Sequence, residues 1–299
     1  MNILVTGANG QLGQSIKDEI AKQNAANNYL FTDIREESSC GGILPLDITD
    51  ITSIREFIEQ NKIEIIINCA AYTNVDKAED EPDICFAINT IGVKNLATIS
   101  KELNLLLVHI STDYIFDGTA ETPYNEKQAP SPLGVYGKTK FLAEIAIIES
   151  GCRHLIFRTA WLYSIYGKNF VKTIKRLIKE RENIKVVDDQ IGTPTNSADL
   201  ASAIVTIIER ELYRESGVYN YTNMGYCSWF NFATKILELC RMQNPLEVNC
   251  TIEPCTSAEY NSKAKRPKYS ILDKSKFINH FKIEIPHWSN SLIRDFNKI

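Results

Sequence analysis

The chain has 299 residues, 44% of them hydrophobic, and a formal net charge of −4. This length and composition support one large domain or two modest ones around a sizeable core. Lys and Arg are scattered among acids and no apolar run nears the ~20 residues of a membrane span, which argues against nucleic acid and membrane partners. The most basic stretch, Lys263–Lys268 (KAKRPK), is short and reads as a solvated loop or a small-anion contact. Eight cysteines contain no C-x-x-C pair and do not cluster with the four histidines. They read as reduced residues of a cytoplasmic protein, not as a disulfide framework or a zinc site.

In chain order, the start MNILVTGANG runs straight into a strand at Asn2–Thr6, with no basic leader and no cleavage signal. A helical pattern follows at Gln11–Gln23, then a strand at Tyr29–Thr32 ending on Asp33. After a further extended stretch come a helix at Ile51–Asn61, capped by Asp50, and a β-branched strand at Glu64–Asn68. Pro82–Asn104 reads as one long helix and Leu105–Ile110 as a buried strand. A helix begins near Tyr136 and runs to Ile148, and His154–Thr159 is the sixth strand. The second half predicts helices at Phe170–Lys179, Ala198–Glu209 and Ser228–Cys240. Strands are expected at Ile184–Val187 and Val248–Ile252, and Gly217–Thr222 is a candidate to rejoin the first sheet.

Alternating strands and helices with near-continuous apolar strands predict an α/β fold with a parallel sheet covered on both faces. The expected architecture is a doubly wound, Rossmann-type sheet with a smaller, interleaved α+β lobe in the C-terminal half. The dinucleotide-type domain spans about 1–165, with return segments near 193–222 and 266–275. Most of 166–299 forms the discontinuous second lobe.

Residues 6–13 read TGANGQLG, with Gly7, Gly10 and Gly13 at the first strand-to-helix turn. Glycine there permits positive φ and lets backbone N–H groups approach a pyrophosphate at a helix N-terminus. Gly7, Asn9, Gly10, Gln11, Leu12 and Gly13 are therefore assigned to a dinucleotide; the plain alternative is a structural tight turn. Asp33 falls where such a fold holds the adenosine ribose. A carboxylate favours a free 2′-hydroxyl, whereas Arg35, two residues on, suits a 2′-phosphate or is a solvated loop charge. NADPH and NADH both stay open. Asp47 and Ile48 are placed near the adenine, unless Asp47 only starts a turn.

Three polar clusters sit at strand carboxyl ends: Asn68–Asp76, Ser111–Phe116 and Thr159–Tyr163. Ligands bind at those ends in this architecture. Tyr136 and Lys140, at i and i+4, share one helical face. A nearby ammonium is expected to draw the phenol down from its usual value of about 10, readying it to give a proton to a developing alkoxide. A hydroxyl from Ser111–Thr112 would hydrogen-bond the carbonyl being reduced. Alone, Tyr-x-x-x-Lys is a common accident of exposed helices; the glycine loop and the hydroxyl pair give it meaning.

Gly7, Gly10, Gly13, Thr112, Tyr136 and Lys140 together resemble the extended short-chain dehydrogenase/reductase superfamily. The stretches CAAYTNVDKAEDEP (69–82), HISTDYIFDG (109–118), VYGKTK (135–140), FRTAWLY (157–163), GKNFVKT (167–173), DDQIGTPT (188–195) and RPKYSILD (266–273) narrow the likeness. In that order they resemble the dTDP-4-dehydrorhamnose reductase family. The resemblance implies hydride transfer from NADPH or NADH to C4 of dTDP-4-dehydro-β-L-rhamnose, with Tyr136 as proton donor, Thr112 as the catalytic hydroxyl and Ser111 a weaker candidate for it. It implies that Lys140 binds the nicotinamide ribose and that Ala70, Ala71 and Thr73 line the cofactor. The sugar side is then Thr73, Val75, Thr112, Asp113, Tyr136, Trp161, Asn169 and Arg266, the arginine fork suiting a diphosphate. Trp161 as plain core and Arg266 as a surface charge are the bland readings. Some family members use magnesium at a dimer interface through glutamates on the first helix and elsewhere. Ser15 stands at the first-helix position, which argues against that metal and the dimer it supports; monomer and homodimer both stay open. Two other functions fit the residues: reduction of another nucleotide-linked 4-keto-6-deoxy sugar, and a cofactor-binding regulatory subunit without chemistry. Retention of both Tyr136 and Lys140 favours an enzyme.

Overall fold

A computed structural model describes residues 1–34, 42–243, 245 and 248–299. Six strands, β1 (Asn2–Thr6), β2 (Asn28–Asp33), β3 (Ile43–Pro45), β4 (Ile65–Asn68), β5 (Leu106–Thr112) and β6 (Arg153–Thr159), join the strand Gly217–Asn220 in one sheet. Its order is Gly217–Asn220, β6, β5, β4, β1, β2, β3, and every pairing is parallel. The chain reverses its direction of winding between β1 and β4, the switch point beyond whose carboxyl ends such folds bind ligands.

Both faces of the sheet are dry, which explains the runs of Ile, Leu and Val without polar alternation. Ile3, Val5, Ile65, Ile67, Leu155 and Phe157 face the helices Gln11–Gln23 and Ser197–Glu209. Leu4, Ile66, Leu107 and Ile156 face the other way, onto Ile54, Ile58, Leu96 and Ile147. A separate core gathers Tyr163, Val171, Ile174, Ile184, Phe232, Ile236, Trp288 and Leu292.

The helix Ser197–Glu209 begins on Asn196, whose Oδ1 accepts from the Ala198 N–H at 2.8 Å and whose Nδ2 donates to Asp295 at 2.9 Å. An Asn196→Ala protein is expected to lose about 2 kcal/mol, the upper end for a helix cap because a second partner is stranded, read as a lower urea midpoint at unchanged m-value.

Three expectations need correction. The predicted helix 82–104 is interrupted by a π-helical segment at Ala87–Gly92. There Asn89 turns inward to accept from Tyr72 N–H at 2.8 Å and to donate to Tyr72 O at 3.1 Å. Gly92 leaves room for Ile48, whose Cγ1 would lie 2.7 Å from an added Cβ. The strand predicted at Val248–Ile252 lies instead at Thr251–Cys255, parallel to Asn183–Val187. Alternation does not mark where a strand ends, and pairing with Asn183–Val187 selects the later placement. Helices at Ser275–Phe281 and Trp288–Asp295 went unpredicted, being too short for a clear period. No helix among the described residues is long and apolar enough to cross a membrane.

Candidate active site

A cleft of about 660 Å³ opens over the carboxyl ends of β1, β4, β5 and β6. Its floor is the glycine loop. Gly7 has φ +64°, and a Cβ there would fall 2.4 Å from Ala70 N; a Cβ on Gly13 would fall 2.6 Å from Ala8 Cα. These two glycines let β1, β4 and the first helix close upon one another; Gly13 is buried and is not among the residues lining the cleft. Gly10 lines the cleft and begins the helix with no side-chain cap, so the first-turn N–H groups have no side chain covering them. Gln11 and Leu12 line it beside Gly10. This uncapped 13-residue helix, approached through glycines, suits a pyrophosphate.

Asp33 also lines the cleft, oriented by two backbone donors: Asn9 N–H at 3.0 Å and Ile34 N–H at 2.8 Å. Asn9 thus acts on the site through its backbone. Asp47 lines the cleft while accepting from Thr49 N–H and Oγ1, each at 2.8 Å, and Ile48 lies beside it. Arg35 lies outside the described residues. Ala70, Ala71, Thr73 and Val75 form the wall beyond β4.

Thr112, Asp113, Tyr136 and Lys140 come together at the far side. The helix Val135–Ser150 can approach β5 because a Cβ on Gly137 would fall 2.2 Å from Tyr114 O. That contact brings the half-buried Tyr136 edge-on to Tyr114, with ring centroids 5.5 Å apart. Burial pushes the Tyr136 phenol up, with the Thr112 hydroxyl opposing it and the Asp113 carboxylate reinforcing it. The expectation that Lys140 draws this phenol down is therefore not met in this arrangement. Burial dominates, and the Lys140 Nζ is bonded elsewhere, to His109 Nε2 at 3.1 Å and Ile110 O at 2.6 Å. Lys140 is itself drawn down to about 8, mainly by burial, against the pull of Glu144. Asp113 is pushed up to about 6 by burial, while its Oδ1 accepts from Thr112 Oγ1 at 3.0 Å.

Ser111 also lines the cleft, but its hydroxyl is engaged by a partner beneath it. Its hydroxyl donates to Glu144 at 2.5 Å, and Glu144 is clamped by the fork of Arg158 at 3.0 and 2.7 Å. Thr112 carries the hydroxyl that meets Tyr136.

Trp161 lines the cleft with φ +49°, an uncommon backbone state for a bulky residue. Its indole is stacked on Trp229, centroids 3.5 Å apart and planes 10° from parallel. Gly192 backs it, since a Cβ there would fall 2.6 Å from the Trp161 ring. Two expected sugar contacts stand off the cleft. Asn169 caps the helix Phe170–Glu180, accepting from Lys172 N–H at 3.1 Å, and donates to Ser164 O at 2.8 Å and Gln11 at 3.2 Å. Arg266 pairs with Asp76 at 2.8 Å, and its buried Nε has no hydrogen-bond partner. Ser15 is buried between Gln11 O at 2.9 Å and the Ser197 hydroxyl at 2.8 Å. Among the described residues no group of three or more His, Cys, Asp or Glu side chains is placed to hold a metal ion.

Sequence reasoning gave no role to Asn68, although it opens the first polar cluster, nor to His109, Glu144, Arg158 or Trp229. His109 left a signal of its own, as a titratable residue inside the apolar run LLLVHI.

The model of the RmlD substrate binding domain family matches residues 1–299. A dTDP-4-dehydrorhamnose reductase of Aggregatibacter actinomycetemcomitans is 38% identical over 97% of this chain and 96% of its own. That of Escherichia coli (strain K12) is 35% identical over 100% and 98%. Among solved structures, a dTDP-4-dehydrorhamnose reductase from Bacillus anthracis in complex with NADP superimposes with a TM-score of 0.88. It is 38% identical and covers 100% of this chain and 99% of its own.

Proposed function

The chain belongs to the RmlD family of dTDP-4-dehydrorhamnose reductases, and we propose that it reduces the C4 keto group of dTDP-4-dehydro-β-L-rhamnose to give dTDP-L-rhamnose. The observation that carries this reading is the meeting of Thr112, Tyr136 and Lys140 in the cleft that the glycine loop also floors. A cofactor-binding subunit without chemistry would have no need of that meeting.

A bound nicotinamide dinucleotide supplies the hydride. The glycine loop and the first-turn N–H groups would hold its pyrophosphate, Asp33 its adenosine ribose, and Lys140 its nicotinamide ribose. The NADP-bound relative favours NADPH, whereas the carboxylate of Asp33 suits a free 2′-hydroxyl, so both dinucleotides belong in the test. Thr112 and Tyr136 hydroxyls approach the substrate oxygen. Because burial holds Tyr136 in its phenol form, it arrives as a donor and gives its proton to the oxyanion at C4. Trp161, Thr73 and Val75 offer the apolar wall and hydroxyl that the sugar would meet.

Incubation with dTDP-4-dehydrorhamnose and NADPH, and in parallel NADH, should show nicotinamide oxidation matched by dTDP-L-rhamnose, identified by NMR. No oxidation with either dinucleotide overturns the assignment. Oxidation without dTDP-L-rhamnose assigns the chain to another keto-sugar.

A further inference from the structure

His109 is completely buried at the centre of β5, yet it has a partner on each ring nitrogen. Nδ1 lies 3.0 Å from Asn68 Nδ2, and Nε2 lies 3.1 Å from Lys140 Nζ. The Asn68 amide cannot be turned round. Its Oδ1 accepts from the backbone N–H of Ala70 at 3.2 Å and from Thr6 Oγ1 at 2.7 Å, so the atom facing His109 is the NH2 donor. Nδ1 must then be the acceptor, which puts the single ring proton of a neutral imidazole on Nε2. Burial is the main cause that holds the ring neutral, with or without a charge on Lys140.

An Nε2–H facing Lys140 needs a lone pair there. An ammonium has none; a neutral amine has one, and still donates to Ile110 O at 2.6 Å. We propose that His109 is a positioning residue that parks Lys140 as a neutral amine in the cofactor-free protein in mildly alkaline solution, and that a dinucleotide then draws Lys140 off His109 as an ammonium that has taken up a proton from solvent. The second half rests on the dinucleotide reading above. Ribose hydroxyls and phosphate anions favour an ammonium, whereas the His109 N–H repels one.

The groups facing Lys140 leave the linkage clean. Cys69, beyond β4, is pushed up to about 12 by burial, and Cys85, on Pro82–Phe86, is raised by burial too. On its own helix Tyr136 is raised, and Glu144 is already paired with Arg158. Lys140, drawn down to about 8, is thus the group in this cluster that changes charge just above neutrality. The sign follows. Below about 8 Lys140 carries its proton before and after binding, and no proton is taken up. Above it the free protein lacks the proton and the complex has it, so affinity falls as pH rises.

Two measurements decide the matter. In ¹⁵N-histidine NMR of the cofactor-free protein at about pH 9, with His109→Gln to assign the signal, His109 should show a protonated Nε2 and a bare Nδ1. A Nδ1–H tautomer or an imidazolium overturns the proposal. Calorimetry of NADPH binding at that pH, in two buffers of different ionisation enthalpy, should show uptake approaching one proton. Lys140→Met should abolish the uptake, and His109→Gln should sharply reduce it, because a glutamine Oε1 can accept from an ammonium. Binding without uptake, or uptake that survives Lys140→Met, overturns the proposal. Absence of NADPH binding would strike the dinucleotide reading and with it the linkage to binding, while the NMR measurement still decides the parked amine.

Discussion

A Tyr136→Phe protein should lose roughly 100- to 10,000-fold in kcat for the proposed reduction, the usual contribution of a positioned proton donor, while keeping its affinity for NADPH. The separation follows from the site. The Tyr136 ring is held by burial and by the edge of Tyr114, contacts that phenylalanine keeps. Only the hydroxyl is lost, and with it the proton for the C4 oxygen and the partner of Thr112. In the proposed assignment, dinucleotide affinity rests instead on the glycine loop, Asp33 and Lys140. The phenol is raised above its ordinary value, so the wild-type rate should show no decline near neutrality from loss of the donor's proton. Steady-state kinetics with a direct binding titration checks both halves; undiminished kcat in the phenylalanine variant would move the proton donor to another group.

The second large effect lies beneath the site. Arg158→Met should destabilise the protein by about 3–5 kcal/mol, the cost of leaving a buried charge without its partner. Arg158 and Glu144 have side chains 5% and 1% exposed, so water cannot take over from the missing guanidinium. Ser111 also hangs on Glu144, which couples the pair to the residue next to Thr112. A double variant, Glu144→Leu with Arg158→Met, removes both charges and should recover much of the loss, since a well-packed apolar pair of similar volume often matches a buried ion pair. Urea unfolding of the two variants provides the comparison. A single variant as stable as wild type would mean that Glu144 has found another partner or accepted a proton at little cost.

The expected lowering of Tyr136 by Lys140 is not met in the cofactor-free arrangement, for a geometric reason. Spacing at i and i+4 places two side chains on one helical face but says nothing of what else is within reach. From Lys140, His109 and the Ile110 carbonyl are in reach, and both belong to a strand about thirty positions earlier in the chain. Likewise the sequence does not show that the side chains of Asn169 and Arg266 are engaged by Ser164 and Asp76, while each adjoins a cleft-lining residue, Gln11 and Tyr114.

Local chemistry was legible in the sequence alone. Apolar strands without alternation implied a sheet buried on both faces, and TGANGQLG implied a tight strand-to-helix turn, because positive φ and close backbone approach demand glycine wherever they occur. The order of polar clusters after β4, β5 and β6 likewise announced where a ligand would lie. Tertiary structure alone decided which proton sits on which atom. The amide of Asn68 on β4 sets the tautomer of His109 on β5, and that tautomer sets what Lys140 can accept, through hydrogen bonds between residues far apart in sequence. Such bonds are directional and depend on angstrom-scale register between strands, whereas a sequence records only residue types and their spacing.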